Sequence, residues 1–121
     1  MLLPEQPEAA VASLAVTAAA VCAPLNPACS ADEFVSLAGM LRAKALILLA
    51  GATSPAIAAA KFLGMNILEL VPAAHAPAGI FSLIGKDPVD LTGQSLVDNR
   101  GEALLLFTSG TEAQPKRVPL T

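Results

Sequence analysis

The chain has 121 residues, of which 55% are hydrophobic and only 14% charged, and neither Trp nor Tyr occurs. Its formal net charge is −3. No basic stripe carries interleaved aromatics, which argues against nucleic-acid binding. The longest apolar run, residues 9–23, falls short of the roughly 18–20 residues that cross a bilayer. Ser13 and Thr17 interrupt it, and Glu5 and Glu8 precede it where a secretory leader would carry positive charge.

Taken in chain order, the first element is a helix. Pro7 suits a first helical position because its missing N–H would be unpaired there, and Glu8 suits the positive helix end. Val11, Leu14, Ala18 and Val21 recur at helical spacing. Residues 21–24 read as a short buried strand closed by Leu25-Asn26-Pro27. Ser30-Ala31-Asp32-Glu33 is a capping-box string. Phe34, Leu37, Ala38 and Leu41 follow it on one helical face. Residues 45–50 form a continuous apolar run closed by Gly51, as expected of a strand covered on both faces. Ser54-Pro55 opens a third helix and Gly64 is placed to end it. Residues 66–71 read as a strand and 72–77 as a loop. Residues 78–100 are broken by Gly79, Gly85, Pro88 and Gly93, and no element is assigned there. Residues 103–107 form a last apolar strand.

This alternation predicts a layered α/β fold with a mostly parallel sheet and helices on both faces. The mean hydropathy of +0.64 leaves too few charges to cover the core of so small a domain. Some apolar surface is therefore expected to face a partner or another part of the same protein.

The last strand runs into Thr108-Ser109-Gly110-Thr111-Glu112-Ala113-Gln114-Pro115-Lys116. Backbone N–H groups and hydroxyls after a strand converge readily on an anion. Gly110 permits close backbone approach, and Lys116 offers an ammonium to phosphate oxygens. The string is not the G-x-x-x-x-G-K-[ST] P-loop. The competing reading, an ordinary polar turn, is disfavoured by the Pro-Lys pair at fixed distance from an apolar strand.

Residues 105–116 resemble the phosphate-loop signature of AMP-forming adenylating enzymes, which include acyl-CoA synthetases, luciferases and peptide-synthetase adenylation domains. The family pattern is roughly T-S-G-T-[TE]-G-x-P-K. Upstream strings support the resemblance. Leu3-Pro4-Glu5-Gln6-Pro7-Glu8 is similar to L-P-N-[SG]-P-E. Ala19-Ala20-Val21-Cys22-Ala23-Pro24-Leu25-Asn26-Pro27 is similar to G-A-V-x-x-P-L-N-P. Ser30 to Phe34 takes the place of T-x-x-E-[LF].

The resemblance implies that residues 1–121 are part of the large N-terminal adenylation (AMP-binding) domain, ending at the phosphate-binding loop. It implies an ATP-dependent acid–CoA ligase. In that reaction a carboxylic acid is activated as acyl-adenylate and passed to coenzyme A. Thr108, Ser109, Gly110, Thr111, Glu112 and Lys116 are the residues it assigns to ATP. Mg²⁺ ligands, the adenine and ribose sites and the remaining catalytic groups belong to family segments outside this sequence. The isolated chain is therefore expected to need the remainder of the enzyme and to be inactive alone. Ala113 departs from the family Gly; a left-handed backbone there would cost roughly 1–2 kcal/mol.

Other polar residues attract blander readings. His75, the only histidine, sits in an Ala/Pro loop without a paired nucleophile. Asp87, Asp90 and Asp98 are irregularly spaced loop carboxylates, and Glu33 is a helix cap. Cys22 and Cys29 have the spacing of neither a redox pair nor a zinc half-site, and read as reduced thiols of a cytoplasmic protein. The alternatives to a ligase are a non-catalytic nucleotide- or phosphate-binding remnant and an α/β interaction module.

Overall fold

In the computed structural model, residues 1–85, 102–108 and 116–120 are described. Among the described residues there are three helices and five strands: α1 (Pro7–Thr17), α2 (Ala31–Leu41), β1 (Ala45–Leu49), α3 (Pro55–Phe62), β2 (Asn66–Pro72), β3 (Phe81–Gly85), β4 (Leu104–Thr108) and β5 (Lys116–Leu120).

The helix starts follow their local chemistry. Pro7 opens α1 with Glu8 in its first turn. Ser30 and Glu33 form the full capping box of α2: the Ser30 hydroxyl accepts from the Glu33 N–H at 3.2 Å, and the Glu33 carboxylate accepts from the Ser30 N–H at 2.9 Å. Ser54 caps α3 through the Ala56 N–H at 3.2 Å, with Pro55 at the first helical position. Gly64, at φ 69°, closes the turn after α3, a left-handed conformation that glycine enters without steric cost.

β1 is sandwiched. Leu46 and Leu48 pack with Phe34, Ala38, Ala56, Ala59 and Ala60 of α2 and α3. Ile47 points the other way, to Leu3, Leu70 and Ala12 of α1. The continuous apolar run thus fills two cores at once, by the two-residue alternation of a strand. No polar or charged residue is buried among those described.

The sheet is mixed. β1 pairs with β2 in parallel, with Leu46 opposite Ile67, while β3 adds antiparallel to the far side of β2. β4 and β5 form a separate antiparallel pair. Two short extended segments join these pieces. Leu2 bridges to Leu48 in parallel, and its N–H donates to the Ile47 carbonyl at 2.8 Å. Met1 donates to the Ala23 carbonyl and accepts from the Leu25 N–H, both at 2.8 Å, which is the slanted pattern of parallel neighbours. Cys22 bridges to Leu104 in parallel. The layer therefore runs β3, β2, β1, residues 1–2, residues 22–25, β4, β5. It is parallel through the middle, with an antiparallel strand at each flank.

Three details differ from the sequence expectation. β3 lies within the stretch left unassigned. β5 begins at Lys116, the last residue of the Thr108–Lys116 string, where no strand was expected. The strand over 21–24 contracts to a single bridge at Cys22. Residues 18–20 are still held in turn bonds to Leu14 and Val16, and Pro24 has no N–H to extend a ladder. The expected apolar surface is present: Phe62 is 87% exposed, Leu14 73% and Ile84 53%.

Candidate phosphate-binding site

The site is framed by the β4–β5 pair. β4 is anchored from below, because Leu105 is buried and Cys22 donates to the Ala103 carbonyl at 2.9 Å and accepts from the Leu105 N–H at 2.8 Å. β5 returns antiparallel, and the final register pair is Thr108 with Lys116. Residues facing each other in such a ladder have Cα atoms roughly 4.5–5.5 Å apart. The fold thus brings the first and last residues of the candidate loop side by side at the loop end of a hairpin. Ser109, Gly110, Thr111, Glu112 and Ala113 lie outside the described residues.

Arg117 is opposite Phe107 in the ladder. It is adjacent in sequence to Lys116, and its guanidinium donates to Glu102 at 2.7 Å. Glu102 precedes β4, at the end of the hairpin away from the loop. Both side chains are close to half exposed, so this ion pair is worth about 0–1 kcal/mol and mainly directs the guanidinium. In sequence, Lys116 is the one basic residue of the Thr108–Lys116 string.

Other candidates fall into structural roles. His75 lies in the turn after β2, at φ 61°, and is exposed. Glu33 is the α2 cap. Asp87, Asp90 and Asp98 lie outside the described residues. Cys22 and Cys29 are buried free thiols. Burial pushes the Cys22 thiol above its ordinary value, against the opposing influence of the Met1 ammonium and a Ser13 hydrogen bond. Burial also raises Cys29, and the Glu33 carboxylate adds to the effect. Raised thiols are poor nucleophiles at neutral pH. Among the described residues, no group of three His, Cys, Asp or Glu side chains is placed to hold a metal ion, and no helix is long and apolar enough to cross a membrane.

Two polar contacts were not legible in the sequence. One is the Glu102–Arg117 pair. The other is Glu8, whose carboxylate accepts from the Gly79 N–H at 3.2 Å and ties the start of α1 to the turn before β3. Both join residues far apart in the chain, and no local pattern signals them.

A family model for AMP-binding enzymes matches residues 1–121. The chain belongs to this adenylate-forming family, whose members use ATP and carboxylic acid substrates. No curated protein matches the chain.

Proposed function

We propose that residues 1–121 form part of the N-terminal domain of an ATP-dependent acid–CoA ligase and supply its loop for the ATP phosphates. The observation that carries this reading is the pairing of Thr108 with Lys116, which closes the Thr-Ser-Gly-Thr string between two strand ends in a chain of the AMP-binding family. Thr108, Ser109, Thr111 and backbone N–H groups near Gly110 orient the β- and γ-phosphates, Glu112 lies within the same loop, and Lys116 balances their charge. Preorganised donors of this kind stabilise charge as it builds on departing pyrophosphate.

In this reading a substrate carboxylate attacks the α-phosphorus and the bond to the pyrophosphate oxygen breaks. The sulfur of coenzyme A then attacks the acyl carbon, the acyl–phosphate bond breaks, and AMP leaves as the thioester forms and the thiol proton is released. Mg²⁺ would supply further charge on the phosphates when bound with the nucleotide, with its protein ligands expected outside residues 1–121, and the loop residues act on phosphate oxygens. The setting is cytoplasmic, where ATP and reduced thiols are available.

The reading is tested by titrating the purified chain with ATP and then with pyrophosphate. ATP should bind and pyrophosphate should displace it, while ATP–pyrophosphate exchange stays at background for the chain alone. Failure to bind either ligand would count against the loop assignment. Exchange by the isolated chain would contradict the proposed division of the active site.

A further inference from the structure

The two strands of the β4–β5 hairpin are held unequally. β4 is fixed by the burial of Leu105 and by the bonds to Cys22. β5 is exposed over residues 117–120, so no buried face fixes where it sits along β4. Register is strongly specified where a strand buries one face, and the backbone ladder itself is indifferent to side chains. Apolar pairing adds little selection, because Leu104, Leu105 and Leu106 offer the same side chain at successive positions. Two features select the observed register. Pro119 disfavours a slip by one residue. It is opposite Leu105, whose N–H goes to Cys22 at 2.8 Å rather than to β5, while the neighbouring Leu120 carbonyl accepts from Ala103 at 2.8 Å. Pro119 thus holds a position that needs no ladder bond, and a shift by one would turn its missing N–H into the ladder. A slip by two residues keeps that alternation and is untouched by Pro119. It moves Arg117 along β4 by roughly 7 Å, well beyond the 4 Å or so within which an ion pair holds. The 2.7 Å bond from Arg117 to Glu102 therefore belongs to one register.

We infer that Glu102 and Arg117 pin the register of this hairpin and are positioning residues for Lys116. In the observed register Thr108 pairs with Lys116, which sets residues 109–115 as the span between paired strand ends. A two-residue slip in one direction would pair Thr108 with Gln114 and draw Lys116 down the hairpin. In the other direction it would pair Thr108 with Val118 and carry Lys116 into the span. Either slip displaces the Lys116 backbone by roughly 7 Å, more than a charge-assisted bond to phosphate tolerates. Glu102 lies at the far end of the hairpin from the loop, so it acts through Arg117 and β5 rather than on phosphate. Both side chains are close to half exposed, so the pin is weak and is screened by salt. The consequence for phosphate binding rests on the loop assignment proposed above, whereas the register does not.

The test compares the full chain with Glu102→Gln and with the exchanged pair, Glu102→Arg together with Arg117→Glu. Register is read without ligand, from cross-strand NMR contacts along the β4 and β5 backbones. Pyrophosphate affinity is measured on the native chain and on Glu102→Gln. The native chain should show Leu106 against Val118. Glu102→Gln should add a second set of contacts, Leu106 against Lys116 or Leu120, and the exchanged pair should return to the single set. Glu102→Gln removes a negative charge, so Coulomb attraction alone would tighten pyrophosphate. The pin predicts the opposite sign, a loss of about 2- to 5-fold, the reach of an exposed ion pair. A single register in Glu102→Gln would overturn the pin, as would a second register that persists in the exchanged pair. Two registers with equal or tighter pyrophosphate binding would overturn the positioning of Lys116. A native chain that does not bind pyrophosphate would sink the loop assignment instead, and the register contacts would still decide the pin.

Discussion

At the level of single residues, the capping box was readable because both of its bonds close within four positions. Ser30→Ala removes the acceptor for the Glu33 N–H and should lower stability by about 1 kcal/mol. A shift of the urea midpoint with unchanged slope would register it. Gly79 was marked in the sequence only as a breaker, although the fold uses it more specifically. Its φ is 91°, and an added Cβ would sit 3.0 Å from a Val11 methyl. Gly79→Ala should therefore cost roughly 1–2 kcal/mol or more, and Val11→Ala should relieve the contact without relieving the backbone term. Full recovery in the double variant would contradict that division. The cysteines give a pH-dependent expectation. Their folded values are raised, so the fold favours the neutral thiol. That contribution is complete below the ordinary thiol range and is lost as pH rises through the raised value. Native Cys22 and Cys29 should resist iodoacetamide at neutral pH and react readily once the chain is unfolded. Fast labelling of the native chain would show that the thiols are accessible.

Among the elements, those with a strong apolar signature were legible. β1 was recognised because strands covered on both faces read as uninterrupted runs, and α2 because its core positions recur at helical spacing. β3 and β5 lack such a signature. β3 is partly or largely exposed at every position from Phe81 to Gly85. β5 carries Pro119, which is tolerated because a flanking strand needs hydrogen bonds on one side only. What makes both segments strands is the neighbour each pairs with, β2 for β3 and β4 for β5, rather than an apolar pattern of their own. Leu105 is the buried anchor of β4. Leu105→Ala should cost about 2–5 kcal/mol if β4 folds cooperatively with the core. A smaller loss, with hydrogen exchange faster in β4 and β5 than in β1, would instead show that the hairpin opens separately.

For the molecule as a whole, the layered α/β arrangement with helices on both faces follows from the order of elements. The joining of its two sheets through Met1–Leu2 and Cys22 does not, because single bridges leave no periodic trace. The candidate site was legible as a string, since phosphate loops are built from local backbone and small side chains. Its frame was not: the return strand β5 and the removal of Arg117 to Glu102 both depend on pairing across the hairpin. The frame matters to the central claim because it leaves Lys116 as the cation nearest the loop in sequence and pairs it with Thr108. The decisive measurement is the affinity of the chain for ATP, and separately for pyrophosphate, before and after Lys116→Ala. Loss of a charge-assisted bond to phosphate should weaken both about 10- to 100-fold. Unchanged affinity for both in the variant would contradict the assignment of residues 108–116 to the ATP phosphates.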